Sequence, residues 1–217
     1  LYIVGDLHGD FRALQKILDH FGMPDIRTAY LFNGDIVDRG KQSIECLTFL
    51  LAMKLDYPHR VFIARGNHEC RRANSHYGFM AECNLKYGNE EGEIVFELAN
   101  QAMEALPLAH TVADRVFIVH GGLPRKRNFM VSDLDTIERG TSIPEKACLL
   151  SDILWSDPRN YKGIRDSYRG SGVLFGQDVT EAFLKRNNLK LIIRSHEVDY
   201  GGNGFQSWHD GKCITVF

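Results

Sequence analysis

The sequence predicts an α/β (α+β) protein, and two observations support that fold class. Five apolar runs rich in β-branched and aromatic residues have the length and composition of buried strands. The first three runs alternate with two stretches of helical periodicity, so the chain is predicted to open as β-α-β-α-β. The runs occupy residues 1–4, 29–32, 61–64, 116–119 and 191–193.

The two intervening stretches differ in their apolar pattern. From Phe11 to Phe21 the apolar residues recur at helical spacing, with Asp10 placed to cap the start and Gly22 to end the helix. This pattern predicts an amphipathic helix with one buried face. Residues 43–55 are apolar on most sides, which predicts a second helix that is buried more completely.

The rest of the chain gives weaker signals. An amphipathic helix is predicted over residues 93–106, ended by Pro107, and a shorter one up to Asn188, capped by Asp178 or Thr180. Residues 121–176 are rich in Gly, Pro, Asp and Arg, so we expect long, ordered surface loops there. Residues 205–208 and 213–217 flank Asp210-Gly211, which predicts an antiparallel hairpin.

Composition limits the classes of function. A chain of 217 residues with 44% hydrophobic content is predicted to form one domain over residues 1–217. Its net charge of -2 lacks the basic excess that nucleic-acid binding needs, and no apolar stretch is long enough to cross a membrane. The five scattered cysteines form no C-x-x-C pair. They favour a reducing compartment, the cytoplasm, with the nucleus also compatible.

Potential metal ligands follow each apolar run, and we expect them to collect along one edge of a sheet. Asp6 and His8 are two residues apart, so an extended chain presents both on one face. The two oxygens of Asp35 allow it to bridge two cations. Carboxylate, amide and imidazole ligands together suit manganese, iron or zinc. Asn67, His120 and His196 complete the six candidate ligands.

Each of these segments taken singly is as typical of a cap or a turn as of a metal site. Their occurrence together, in order along one chain, favours the metal site. The remaining histidines lack such neighbours and are predicted to be structural or exposed; they are His20, His59, His76, His110 and His209.

Four linked segments carry a family resemblance: GDLHG at residues 5–9, GDIVDRG at 34–40, RGNHE at 65–69 and HGGL at 120–123. The chain resembles the phosphoprotein phosphatase family of serine/threonine phosphatases, nearly end to end. Further matches at residues 154–158, 168–170 and 194–196 extend the resemblance. Residues 175–180 and 193–198 are similar to the branch of the family that holds protein phosphatase 5 and the EF-hand-containing phosphatases.

The resemblance implies a calcineurin-like metallophosphoesterase fold of four layers, in which a central β-sandwich of mixed sheets is flanked by helices. It also implies a pair of metal ions at the edge of that sandwich. Asp6, His8 and Asp35 would hold one ion, and Asp35, Asn67, His120 and His196 the other.

The function that the resemblance implies is binuclear-metal-dependent hydrolysis of phosphoserine and phosphothreonine in proteins. Metal-bound hydroxide would attack phosphorus directly, and His68 would protonate the leaving oxygen as general acid. Asp38 is expected to orient His68, and the resemblance implies that Arg39 and Arg169 clamp the phosphate through their forked donors. We expect no phosphoenzyme, because no cysteine has the setting of an activated thiolate; Cys70, near the site, is the one rival.

Two alternatives remain open from the sequence. One is a metallophosphoesterase acting on a small-molecule phosphate such as a dinucleoside polyphosphate, and the other is a non-catalytic phosphoprotein-binding scaffold. We expect the domain to be cut short at both ends, since Leu1 begins inside a strand and the family continues beyond Phe217 with a tyrosine-bearing loop and more sheet. Regulatory subunits or domains outside residues 1–217 are compatible with this picture.

Overall fold

The computed structural model describes residues 1–141 and 147–217, and these residues form two compact units. The first unit spans Leu1–Leu106 and the second Pro107–Phe217. Each unit contains a cluster of buried apolar side chains. This division does not test the prediction of one domain over residues 1–217, which stays a prediction.

The first unit opens as β-α-β-α-β, as the sequence predicts. Its elements are β1 (Tyr2–Val4), α1 (Phe11–Phe21), β2 (Tyr30–Phe32), α2 (Ser43–Asp56), β3 (Val61–Ile63), α3 (Arg71–Asn74), α4 (Phe79–Tyr87) and α5 (Asn89–Glu104). The three strands form a parallel sheet in the order β1-β2-β3. Their carboxyl ends therefore lie along one edge of this sheet.

Helix α1 has the amphipathic character predicted from its spacing. The N–H of Ala13 donates to Oδ1 of Asp10 (2.9 Å), so Asp10 is the predicted N-cap. Leu14 and Leu18 are buried on one face. Gly22 ends the helix at φ +87°, and its N–H donates to the carbonyl of Leu18 (2.8 Å).

Helix α2 is capped by a side chain from α4. The N–H groups of Ser43 and Ile44 each donate to the carboxylate of Glu82 (3.0 Å both), and Lys86 donates to the same carboxylate (2.8 Å). Glu82 is 7% exposed. Burial alone would raise the pKa of Glu82, but the donors from Ile44, Lys86 and Ser43 outweigh burial and hold that pKa below its ordinary value.

The Glu82→Gln variant is expected to lower the free energy of unfolding by about 1 to 2 kcal/mol near pH 7, because its amide nitrogen would face a helix N–H. A folded-state pKa below the unfolded one contributes stability above the unfolded pKa, and that contribution is lost as pH falls through the folded pKa. Urea denaturation across pH should therefore show the variant and the wild type converging below roughly pH 4.

Glu45→Gln is the matched control for the Glu82 variant. Glu45 also accepts a hydrogen bond from Lys86 (2.5 Å) but, within the part of the chain that the structure describes, accepts none from an N–H group of α2, and its side chain is 40% exposed. Its loss is expected to cost less than about 1 kcal/mol. A Glu82→Gln deficit that stays constant from neutral to acid pH would contradict the capping role.

Two features of the first unit differ from the sequence prediction. Helix α5 begins at Asn89 and not at residue 93, because Asn89, Glu90 and Glu91 form a first turn favourable to the helix dipole. Helices α3 and α4 were not predicted. They span four and nine residues, too few for a clear apolar period.

The second unit contains two sheets and the remaining helices. Its elements are β4 (Ala109–Val112), β5 (Val116–Val119), a 3-10 helix (Val131–Thr136), α6 (Leu149–Trp155), β6 (Asp157–Pro158), β7 (Ile164–Asp166), β8 (Val173–Phe175), α7 (Gln177–Arg186), β9 (Leu191–Arg194), β10 (Phe205–Trp208) and β11 (Cys213–Val216). Five strands form one sheet in the order β10-β11-β9-β5-β4, and three form another in the order β6-β8-β7.

The five apolar runs therefore enter two sheets, and the expectation of one shared sheet edge is wrong. β1, β2 and β3 belong to the first unit, while β5 and β9 pair in parallel within the second. The predicted hairpin is confirmed, because β10 and β11 pair antiparallel around Asp210 and Gly211, both at positive φ. The described residues contain no helix of the length and apolarity needed to span a bilayer.

The prediction of loops over residues 121–176 is wrong for much of that stretch. It contains the 3-10 helix, α6 and the whole β6-β8-β7 sheet. Residues 142–146 of the same stretch lie outside the described residues. The predicted cap of α7 is also wrong: Gly176 is the N-cap, and the carboxylate of Asp178 accepts the N–H of Gly163 (2.8 Å) instead.

Candidate metal centre

The loops that follow β1 and β2 are tied together by backbone hydrogen bonds. The N–H groups of Leu7 and His8 both donate to the carbonyl of Asp35 (3.0 and 2.9 Å), and Gly9 donates to the carbonyl of Ile36 (2.8 Å). Three of the predicted ligands, Asp6, His8 and Asp35, are therefore brought to one place at the edge of the parallel sheet.

The donor atoms of these three residues have the spacing of ligands to one cation. Nε2 of His8 lies 3.5 Å from Oδ2 of Asp35 and 3.7 Å from Oδ2 of Asp6. Both carboxylates are 2% exposed. Two atoms that each lie about 2.0 to 2.2 Å from one ion are typically about 3 to 4 Å apart. The donor set and its spacing therefore fit a metal ion.

His8 is held in the form that binds a metal. Its Nδ1 lies 2.9 Å from the carbonyl oxygen of Val37, which can only accept, so Nδ1 carries the proton. The lone pair of Nε2 then faces the carboxylates of Asp6 and Asp35. Burial lowers the pKa of His8 below its ordinary value, against the opposing charge of Asp35, so the imidazole is neutral at pH 7.

The backbone near these ligands is strained. His8, Asp35, Asp38 and Arg39 have φ angles of +43°, +51°, +74° and +66°. Residues other than glycine rarely adopt this left-handed region, and they stay there only where surrounding contacts hold them. The strain therefore falls on predicted site residues.

Glu69, which received no role from the sequence, supplies the contacts that hold this loop. Its Oε2 accepts the N–H groups of Asp35 (2.7 Å) and Gly66 (2.8 Å), and its Oε1 accepts those of Ile36 (2.8 Å) and Val37 (3.3 Å). Glu69 is 0% exposed. A buried carboxylate that accepts four backbone donors fixes the conformation of Asp35.

The loop after β3 is packed directly against Asp35. A Cβ on Gly66 would lie 2.3 Å from Oδ1 of Asp35, so this position requires glycine. Asn67 is 1% exposed, and the N–H of His68 donates to Oδ1 of Asp35 (3.0 Å). The loop thus places the backbone of His68 beside the carboxylate of Asp35, with Asn67 buried just before it.

His68 and Asp38 form a buried pair. Nδ1 of His68 lies 2.6 Å from Oδ2 of Asp38, while the N–H of Phe79 donates to Oδ1 of Asp38 (2.9 Å). Burial opposes the charged imidazole, but the hydrogen bond to Asp38 and the charge of Asp35 outweigh burial and raise the pKa of His68. Nε2 of His68 lies 4.0 Å from Oδ2 of Asp35, so it faces the ligand group.

Proximity alone groups His8, Asp35 and His68 as candidate ligands of one ion. The hydrogen bond to Asp38 distinguishes His68 from His8, because it favours a proton on each ring nitrogen of His68. An imidazolium donates a proton and does not bind a cation. The geometry is therefore compatible with the predicted role of general acid.

Arg39 lies at the exposed side of this group. Its N–H donates to the carbonyl of Tyr77 (3.0 Å), and its side chain is open to solvent. After burial, the charge of Arg39 is among the influences that lower the pKa of His8, so the guanidinium is within electrostatic range of the ligands. This position suits an arginine that binds an anion.

In the second unit, His120 and His196 follow the neighbouring parallel strands β5 and β9. The N–H of Ser195 donates to the carbonyl of His120 (2.9 Å), and the ring centroids of the two histidines are 5.1 Å apart. They are 0% and 8% exposed, and His196 has φ +75°. These two predicted ligands are therefore brought together.

Arg194 is a further residue that the sequence analysis left without a role. Its guanidinium is 0% exposed and donates to the carbonyls of Gly121 (2.5 Å) and Ser156 (3.1 Å). It also donates to Asp157 (2.9 Å) and Glu197 (2.8 Å). Arg194 thereby fixes the segments that follow His120 and precede His196. The RSH match at residues 194–196 was the available signal.

Arg169 is anchored to the same acidic residue. Its Nε donates to Oδ2 of Asp157 (2.7 Å), whose other oxygen accepts from Arg194. Within the described residues, the remaining guanidinium nitrogens of Arg169 have no protein hydrogen bond. The resemblance had singled out Arg169, and the anchoring leaves its outer N–H groups for an anion.

Three of the five cysteines are poor candidates for a thiolate nucleophile. All five are free of disulfides. Burial raises the thiol pKa of Cys46 and Cys213 to about 12 and that of Cys83 to about 11. A thiol with so high a pKa is a poor nucleophile near neutral pH.

The five other histidines lie where a structural or surface role was predicted. His209 is buried, with Nε2 3.0 Å from the carbonyl of Arg159 and Nδ1 2.9 Å from Oγ1 of Thr180. His20, His59 and His76 are exposed. His110 is half-buried in β4.

A family model for calcineurin-like phosphoesterases matches residues 1–200. The chain belongs to the calcineurin-like phosphoesterase family. Serine/threonine-protein phosphatase 5 from Solanum lycopersicum is 44% identical over 99% of this chain and 37% of its own. Its counterpart from Homo sapiens is 42% identical over 99% of this chain and 42% of its own.

A solved structure agrees with these relatives. A protein serine/threonine phosphatase from Saccharomyces cerevisiae, similar to human phosphatase PP5, has a TM-score of 0.92 and 37% identity, covering 99% of this chain and 65% of that one. The metallophosphoesterase fold class and the family resemblance predicted from the motifs are confirmed.

This calcineurin-like phosphoesterase chain spans about two fifths of the length of the curated relatives that it matches. Family membership implies divalent metal ions, and the described residues include a candidate ligand group at the predicted place.

Proposed function

We propose that the protein hydrolyses phosphoserine and phosphothreonine in other proteins, using a pair of metal ions. The observation that carries this proposal is the His68–Asp38 pair beside the ligand group of Asp6, His8 and Asp35. It combines an acid, its orienting carboxylate and a metal-binding donor set in one unit of the chain.

The ligands proposed for the two metal ions rest on different kinds of support. For the first ion, the spacing of Asp6, His8 and Asp35 supports the assignment. For the second ion, the resemblance supplies the ligands, Asp35, Asn67, His120 and His196. Mixed oxygen and nitrogen donors favour manganese, or iron with zinc.

Bound cations would lower the pKa of a water molecule and offset the charge of the phosphoryl group. His68 is placed to donate a proton from Nε2 to the leaving serine or threonine oxygen, while Asp38 accepts Nδ1–H and fixes the direction of the ring. Arg39 and Arg169 would bind the phosphate oxygens through their outer N–H groups. No residue of the chain need form a covalent bond to phosphorus.

Protein substrates are favoured over small phosphate esters because the protein phosphatases match 99% of the chain, loops included. We further propose that the whole protein acts in the cytoplasm on phosphoproteins, with regulatory subunits or domains setting its targets. Neither nucleic acid nor a membrane is part of this proposal.

Metal removal tests the proposal. Chelation is expected to abolish turnover of a phosphoserine peptide, and added Mn²⁺ to restore it, with metal content measured alongside. The same preparation should hydrolyse the phosphopeptide much faster than a dinucleoside polyphosphate. Faster turnover of the nucleotide would favour the small-molecule enzyme, and a metal-loaded protein that binds phosphopeptide without hydrolysing it would favour the scaffold.

A further inference from the structure

The loop between β7 and β8 presents a tyrosine directly beside the predicted phosphate-binding arginine. Tyr168 precedes Arg169, and the residue is 73% exposed. The loop is braced by Ser167, whose Oγ accepts the N–H of Arg169 (3.1 Å) and whose carbonyl accepts the N–H of Gly170 (3.2 Å). Tyr168 is therefore an exposed ring on a loop with a defined conformation.

Arg159 holds the ring of Tyr168 in place. Its Nη2 donates to the phenolic oxygen (2.6 Å), and its Cζ lies 5.8 Å from the ring centroid. A charge-assisted hydrogen bond of this length restricts rotation of the ring. An exposed aromatic ring that is fixed in advance loses little conformational entropy when it binds.

Arg159 is itself immobilised on several sides. Its two Nη atoms contact the carboxylate of Glu197 (2.9 and 3.2 Å), and its Cζ lies 5.8 Å from the ring centroid of Trp208. Its carbonyl lies 3.0 Å from Nε2 of His209, which carries the proton because a carbonyl only accepts. Arg159 thus links Tyr168 to the segment that bears His196.

The charges near Tyr168 determine which kind of substrate side chain can pack against its ring. The guanidinium carbons of Arg159 and Arg169 lie 5.8 and 6.0 Å from its ring centroid, within the range at which cations interact with a ring. A lysine or arginine side chain of a substrate would be repelled by both guanidinium groups. An apolar side chain gains contact area with the ring and meets no such repulsion.

We propose that Tyr168, held by Arg159, is a specificity-determining residue that packs against an apolar side chain next to the phosphoserine of a substrate. The inference rests on the proposed phosphatase function and adds a preference to it. Its basis is the fixed, exposed ring beside an arginine whose outer N–H groups are left for phosphate.

The test uses phosphoserine peptides that differ only at a residue flanking the phosphoserine, with leucine, glycine, lysine or glutamate there. The metal-loaded wild type is expected to favour leucine over glycine by roughly three- to tenfold in kcat/KM, and to disfavour lysine. Tyr168→Ala should reduce the leucine-to-glycine ratio to about one, while Tyr168→Phe, which keeps the ring, retains most of it.

Two further measurements separate recognition from general damage. Turnover of p-nitrophenyl phosphate, which has no flanking residue, should be unchanged in Tyr168→Ala. Calorimetric affinities for peptides carrying a non-hydrolysable phosphonate should show the same leucine preference and the same loss. Tyr87→Ala, an exposed tyrosine at the end of α4 in the other unit, is the matched control and should keep the preference.

Each remaining outcome decides against the inference. An unchanged leucine-to-glycine ratio in Tyr168→Ala, or an equal loss on p-nitrophenyl phosphate, would overturn it while leaving phosphatase function intact. A wild type that prefers glutamate regardless of Tyr168 would indicate recognition by the guanidinium groups alone. Metal-loaded wild type that hydrolyses none of the phosphopeptides would remove the proposed function together with this inference.

Discussion

Replacing His68 with alanine is expected to lower kcat for a phosphoserine peptide by about 10² to 10⁴-fold, with metal content unchanged. His68 is the group whose Nε2 faces the Asp35 carboxylate at 4.0 Å while Asp38 accepts from Nδ1 at 2.6 Å. An alkoxide is a poor leaving group, so removing its proton donor slows the reaction. Metal analysis and steady-state kinetics on one preparation provide the measurement.

The leaving group gives a sharper form of the same test. p-Nitrophenolate leaves readily without protonation, so His68→Ala should lose far less activity on p-nitrophenyl phosphate than on the peptide. Asp38→Asn, which keeps the acid but removes its charged partner, should fall between the wild type and His68→Ala. A His68→Ala protein that lost its metals yet kept its turnover per bound metal would exclude the acid role.

The parts of the site that follow from local sequence were predicted, and the reason is physical. A β-branched apolar run predicts a strand, and a turn with glycine and a polar residue at its end predicts where a ligand lies. This reasoning placed Asp6, His8 and Asp35 correctly at the edge of the parallel sheet. The same reasoning wrongly placed all five apolar strands in one sheet, because the periodicity of a strand carries no information about which strands pair.

The contacts that were missed depend on residues far apart in the chain. Glu69 and Asp35 are separated by 34 positions, and no local pattern shows that their loops meet. Arg159 lies just outside the family match at residues 154–158. Its contact with Tyr168 is seen only in the folded chain. The β6-β8-β7 sheet was missed because strands of two or three residues show no period.

Glu69→Gln is expected to lower the free energy of unfolding by about 3 to 5 kcal/mol, the largest stability effect predicted for the chain. The glutamine amide would turn one N–H₂ group toward the backbone donors of Asp35 and Gly66, or toward those of Ile36 and Val37. Buried donors without an acceptor keep their desolvation cost. Asp35 is held at φ +51°, a strained conformation that the Glu69 carboxylate helps to fix. Loss of that carboxylate should displace the ligand Asp35, so metal affinity should fall as well.

Urea denaturation and metal titration measure the two effects of the Glu69 variant, and Glu97→Gln is its matched control. The carboxylate of Glu97 pairs with Arg71 and its side chain is 47% exposed, so its loss should cost at most about 1 kcal/mol. If Glu69→Gln bound metal like the wild type and unfolded at the same urea concentration, the Asp35 loop would hold its strained conformation without the Glu69 carboxylate. The positive φ at Asp35 would then have to be maintained by its other contacts, among them the bonds from Leu7 and His8 to its carbonyl and from His68 to its carboxylate.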